Sequence, residues 1–285
     1  MGLLSNIAGF VNLGKSGVDK SHPVFRQIIG VLGQEIAHTH DFHKRLFPAI
    51  ASAEAYFDEQ IALIPGPIDI DTHAYFPQSA AAALFPSLSE ISCAIGRSLE
   101  SKDVLPLMAQ KGNEEAYALM GFRCKERDQL PGKALFFADH SLKCLATDEA
   151  TTRQMIRAAA NERLLKNFSE HLEKLREKGR LLIEEWNIEN ETARSQRLGD
   201  GKQMVFAEHE LVPENILRGL IAWLGRPYEH FGVLHTDIRI AERFDVPMLH
   251  AADRRQWIVC LVKFPLHEGL LALAQEGRVH RYIFI

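Results

Sequence analysis

The chain has 285 residues, 46% of them apolar and 25% charged, with 33 Lys and Arg against 37 Asp and Glu for a net charge of −4. That length supports a sizeable core in one or two domains, and those proportions exclude a wholly disordered chain. The slight acidic excess leaves no basic surplus of the kind duplex binding uses, so nucleic acid is not an indicated partner.

Cys93, Cys124, Cys144 and Cys260 are widely scattered, and none is paired at C-x-x-C spacing. They read as reduced thiols in a cytoplasmic protein, not as a disulfide framework or a zinc ribbon. No apolar run approaches the ~20 residues of a bilayer crossing, so no transmembrane segment is expected.

At the start, residues 2–13 place Leu3, Leu4, Ile7, Phe10, Val11 and Leu13 at roughly helical spacing. This predicts a terminal helix docked on its own core, or one making weak contact with a partner or membrane surface. Overlapping it, GFVNLGKS matches the phosphate-loop pattern through Gly9, Gly14, Lys15 and Ser16. A phosphate loop must follow a buried strand and open a helix. Bulky residues fill the loop here, and Pro23 soon follows, so nucleotide binding is the third-ranked alternative.

From Pro23, apolar residues recur at helical spacing, and one helix is expected to run through EIAHTHDFHKRLF. On that helix Glu35 and His43 fall inside the apolar arc, with His38 and His40 at its borders. A buried carboxylate must be paired, protonated or metal-bound. Glu35 and His38 form an E-x-x-H spacing, which resembles half of the ligand set of di-iron helical bundles. Such sites use the motif twice with two more glutamates, and this chain has it once. His40-Asp41 resembles the His-Asp dyad of metal-dependent phosphohydrolases. Further along, IDIDTHAYF carries Asp71 and His73 on a segment of extended character near residues 64–77. No cofactor is expected from the sequence; the alternative is a divalent metal held by Glu35, His38, His43, Asp71 and His73 together. A metal-dependent hydrolase is therefore the alternative function.

Pro48 is expected to open the next helix. Residues 78–129 read as broken helices divided by Pro86, Gly96, Pro106 and Gly112, with Asn113 capping EEAYALMGFRCKER. Residues 134–137, ALFF, read as a short strand. Thr147 opens a long helical segment or hairpin over 147–192, where Leu165, Phe168, Leu172, Leu175, Leu182 and Trp186 fit heptad positions. The expected function follows from it: protein–protein interaction through Leu165, Phe168, Leu172 and Leu175, as a scaffold, complex subunit or homo-oligomer. Leu172→Asp would then weaken assembly and spare the fold. The competing expectation is an amphipathic helix on its own core.

Beyond a loop at 194–203, residues 213–224 read as a helix, 233–240 and 256–264 as strands, 266–277 as a helix and 279–285 as a last strand. The predicted fold is mainly α with a smaller C-terminal α/β (α+β) region. The predicted division is a helical domain over 1–200 and a small α/β region over 201–285.

Overall fold

A computed structural model describes residues 23–127, 134–192, 212–230, 233–234, 248–250 and 256–281. The protein is mainly helical, with a smaller mixed sheet. In chain order the helices are α1 (Pro23–Leu32), α2 (Phe42–Ala62), α3 (Ala80–Leu84), α4 (Leu88–Arg97), α5 (Leu99–Gln110), α6 (Glu149–Thr192), α7 (Pro213–Leu224) and α8 (Leu266–Arg281). The strands are β1 (Ile68–Asp69), β2 (Glu115–Arg127), β3 (Ala134–Ala146), β4 (Val233–Leu234), β5 (Met248–His250) and β6 (Gln256–Pro265). Two compact units are each built from separated stretches, residues 1–56 with 161–230 and residues 57–160 with 231–285. The expected boundary near residue 200 follows a different line. The segment 2–13, the phosphate-loop stretch, the loop at 194–203 and residues 235–240 and 282–285 lie outside the described residues.

In the first unit, α1 buries Val24, Phe25 and Ile28 and ends at Gly33, whose φ of 94° belongs to the left-handed region open to glycine. A 3₁₀ turn then spans Gln34–His38. Thr39 is extended, and its backbone N–H and Oγ1 both donate to the Ile36 carbonyl, at 3.2 and 2.7 Å. Asp41 is left-handed at φ 53°, and α2 starts only at Phe42. The expected continuous helix from Pro23 through His43 is therefore two helices with a break at residues 33–41. Pro48 does not open α2 but lies within it, at an exposed position.

The part of α6 in this unit packs Leu164, Leu165, Phe168 and Leu172 inside, as α7 does with Ile216, Leu217, Leu220 and Leu224. Phe168 meets Trp223 with ring centroids 5.5 Å apart, and Trp223 Nε1 donates to the Leu164 carbonyl at 3.2 Å. A single helix replaces the hairpin alternative: α6 is 44 residues long, about 66 Å at 1.5 Å per residue.

The second unit is a sheet with helices against one face. Strand order is β3-β2-β6-β5-β4, with β1 parallel to β6 along the edge that β5 also uses. Every second residue of β2 (Ala116, Ala118, Met120, Phe122) and of β6 (Ile258, Cys260, Val262, Phe264) enters one core. Ile91 and Ile95 of α4, Leu105 and Met108 of α5, and Leu266 and Ala272 of α8 cover that face. Gly96 lets α4 approach α8 closely, because a Cβ there would sit 2.8 Å from the Ala272 carbonyl oxygen. Two bulges interrupt β3: between Tyr117 and Leu119, and again between Gly121 and Arg123, β3 carries one residue more than β2. Cys144 and Asp139, at φ 55° and 59°, mark them.

Three further expectations are corrected here. Residues 115–127 form β2, not a helix, since their buried positions alternate with period two. Gly96 and Pro106 lie inside α4 and α5 instead of dividing them. The final strand expected from residue 279 is replaced by α8, which continues through Arg281.

Candidate functional site

The broken turn at residues 33–41 removes the geometry on which the metal reading depended. Glu35 and His38 lie on the 3₁₀ turn with exposed side chains. His43, in the first turn of α2, places its ring edge-on to Phe25 and Phe42 at 4.7 and 5.0 Å. His40 is exposed, 3.6 Å from the Asp41 carboxylate. Asp71 and His73 belong to the other unit. There Asp71 closes a turn on its own backbone, its Oδ1 accepting from the Ala74 N–H at 2.5 Å, while His73 is exposed. Glu268, from the first turn of α8, accepts from the Thr72 N–H and hydroxyl at 3.1 and 2.7 Å. Among the described residues no three His, Cys, Asp or Glu side chains are grouped to hold a metal.

A shallow cleft of about 350 Å³ lies between the last turns of α2 and the first turns of α6, lined by Asp58, Ile61, Ala62, Arg153, Gln154 and Arg157. Both guanidinium groups are occupied within the protein. Arg153 donates to the Ile61 and Ile64 carbonyls at 2.6 and 3.2 Å and to Glu149 at 2.8 Å. The Ile61 carbonyl also accepts from the Ile64 N–H at 3.1 Å, so Arg153 adds a second donor there and ties the start of α6 to the chain at the end of α2. Arg157 spans both Asp58 oxygens at 3.2 and 3.0 Å. The cleft is thus electrically balanced, and its polar groups hold the two helices.

Two histidine arrangements escaped the sequence. In the first unit Trp223 carries His230 on one stacked contact at 3.8 Å and 16°, and His171 on another at 5.4 Å and 28°. His230 Nε2 is buried and has no hydrogen-bond partner among the described residues. Burial holds its imidazole below the ordinary range; Glu229 opposes the shift and His171 adds to it. In the second unit His140 stacks on Phe85 and Phe122. Neither histidine stands in a spacing pattern, so only the folded geometry reveals them.

Of the heptad residues, the side chains of Leu182 and Trp186 lie outside those described, and the other four divide at Leu172. Leu165, Phe168 and Leu172 are buried in their own unit, Leu172 to 5% exposure, as in an amphipathic helix on its own core. Leu172→Asp cannot spare the fold as expected, because it would place a carboxylate inside that core. Beyond this point the described side chains of residues 173–184 are exposed, except half-buried Leu175 and buried Gly179. Leu181 is 47% exposed. Arg176 pairs with Glu173 at 2.5 Å, and Arg180 with Glu177 and Glu184 at 2.7 and 3.1 Å. No protein-family model matches this chain, and no curated protein or solved structure does either. The fold and its surfaces therefore define the class: one helical unit and one unit built on a helix-covered mixed sheet, with no helix among the described residues long and apolar enough to cross a membrane.

Proposed function

We propose that this chain works by binding another polypeptide, as a scaffold or complex subunit, and that the later half of α6 is the surface it presents. The observation that carries this is the change along α6: among its described side chains, full burial of large apolar groups ends at Leu172, while the helix continues to Thr192. A helix mostly polar around its circumference gains little from its own core, and i,i+3 and i,i+4 ion pairs add only a few tenths of a kcal/mol each. The sequence nonetheless keeps Leu175 and Leu181 among these charged residues, apolar groups that a bound polypeptide would cover. The described cysteines Cys93, Cys144 and Cys260 are unpaired, which supports a reducing cytoplasmic setting.

The test is a photo-crosslinking amino acid at Leu181 in the native cells, with Lys102 on exposed α5 surface as the control. A discrete polypeptide adduct at position 181, absent at 102, is expected. No adduct at 181 beyond the control would overturn the proposal.

A further inference from the structure

We propose that His140 is a proton-sensitive latch: its neutral imidazole holds α3 and Phe85 against the sheet, and uptake of a proton releases them. His140 and Asp139 are the two residues that the β3 bulge sets between the rungs Ala138↔Arg123 and Ser141↔Gly121. Nearly parallel to its ring lie Phe85, at 4.3 Å and 25°, and Phe122, at 5.6 Å and 29°. Its Nε2 stands 3.0 Å from the carbonyl of Leu84, the last residue of α3. A carbonyl only accepts, so Nε2 carries the hydrogen of the neutral ring and an added proton goes to Nδ1. One imidazole thus joins the end of a five-residue helix to the sheet.

Several groups near His140 favour the cation. They are the Leu84 carbonyl, Glu90 on α4 and Asp139 on its own strand. The two aromatic faces act in the same direction. Glu100 of α5 is paired with Lys143, and Arg123 of β2 with Asp139, at 3.4 and 3.1 Å. Burial is the largest influence and works against the charge, holding the imidazole below its ordinary 6.5. In the opened state the ring returns to that ordinary value. Opening therefore takes up a proton, and acid favours it over the window from 6.5 down to the lowered folded value. One pH unit below the ordinary value, the opening equilibrium rises by up to about tenfold.

Amide hydrogen exchange on the intact chain, corrected for intrinsic rates, tests this at about pH 7.5 and about pH 5.5. The reporters are the amides of Ala83 and Phe85, which donate to the Ser79 and Ala81 carbonyls; the Ile216 amide in α7 is the reference. In the wild type, opening at Ala83 and Phe85 should increase several-fold in acid while Ile216 stays level. His140→Phe, which keeps an aromatic ring but cannot take a proton, should show no increase. An equal increase in wild type and variant would overturn the latch. Should the variant not fold, the wild-type increase must follow the His140 ring titration measured by NMR, with a midpoint below 6.5. A higher midpoint, or an increase that does not track it, overturns the proposal too.

Discussion

At the residue scale, Asp148 shows how one carboxylate sets the start of a helix. Its oxygens accept from the Thr151 N–H and hydroxyl at 2.8 and 2.7 Å, which caps α6. The Thr151 N–H is the main cause that lowers its carboxyl below the ordinary carboxylate range, and burial opposes it. The folded value lies below the unfolded one, so this stabilisation is complete above the unfolded value and is lost as pH falls through the folded one. Asp148→Ala should cost about 1 kcal/mol at neutral pH, read from chemical denaturation. Asp148→Asn, which caps comparably, should stay near wild type at neutral pH but lose part of the acid-dependent destabilisation. A similar dependence in chain and variant would mean that the carboxylate contributes nothing through ionisation.

Elements show where the sequence was legible and where it was not. The long run from Thr147 could be read because its apolar residues recur at helical spacing, and β6 because β-branched and aromatic residues crowd it. β2 was obscured by Tyr117 and Leu119, apolar residues on the face opposite Ala116 and Ala118. With apolar side chains at both parities, period two disappears from the sequence although burial keeps it. The S-x-x-E at Ser87–Glu90, which starts α4, went unread: Ser87 Oγ accepts from the Glu90 N–H at 3.4 Å. The cluster at residues 35–43 misled for a different reason. A helical wheel assumes continuity, and Gly33 and Asp41 adopt left-handed backbone that no wheel contains. On α6 the division at Leu172 gives a paired expectation. Leu172→Asp should abolish cooperative unfolding of its unit, since truncating a buried leucine alone costs 2–5 kcal/mol at the order-of-magnitude level and a buried charge adds to it. Leu181→Asp, at an exposed position, should stay within about 0.5 kcal/mol of wild type. Circular dichroism melting distinguishes the two, and equal behaviour would contradict the described burial.

For the whole molecule, the informative feature is that each compact unit uses two separated stretches of chain. A chain ending at Ala160 would lack residues 161–230, the second stretch of the first unit with α7, and also β6, the strand that links β2 to β5 and β1. Such a fragment should bind a hydrophobic dye strongly and melt without a cooperative transition; a sharp transition would show that one stretch of a unit suffices. Synthesis meets the same constraint in time. As the polypeptide emerges, residues 23–56 must wait beside the ribosome for more than a hundred further peptide bonds before their companions appear. Phe25, Phe42 and Leu46, destined for the interior, stay sticky throughout that interval, which makes the nascent protein a natural client for chaperones.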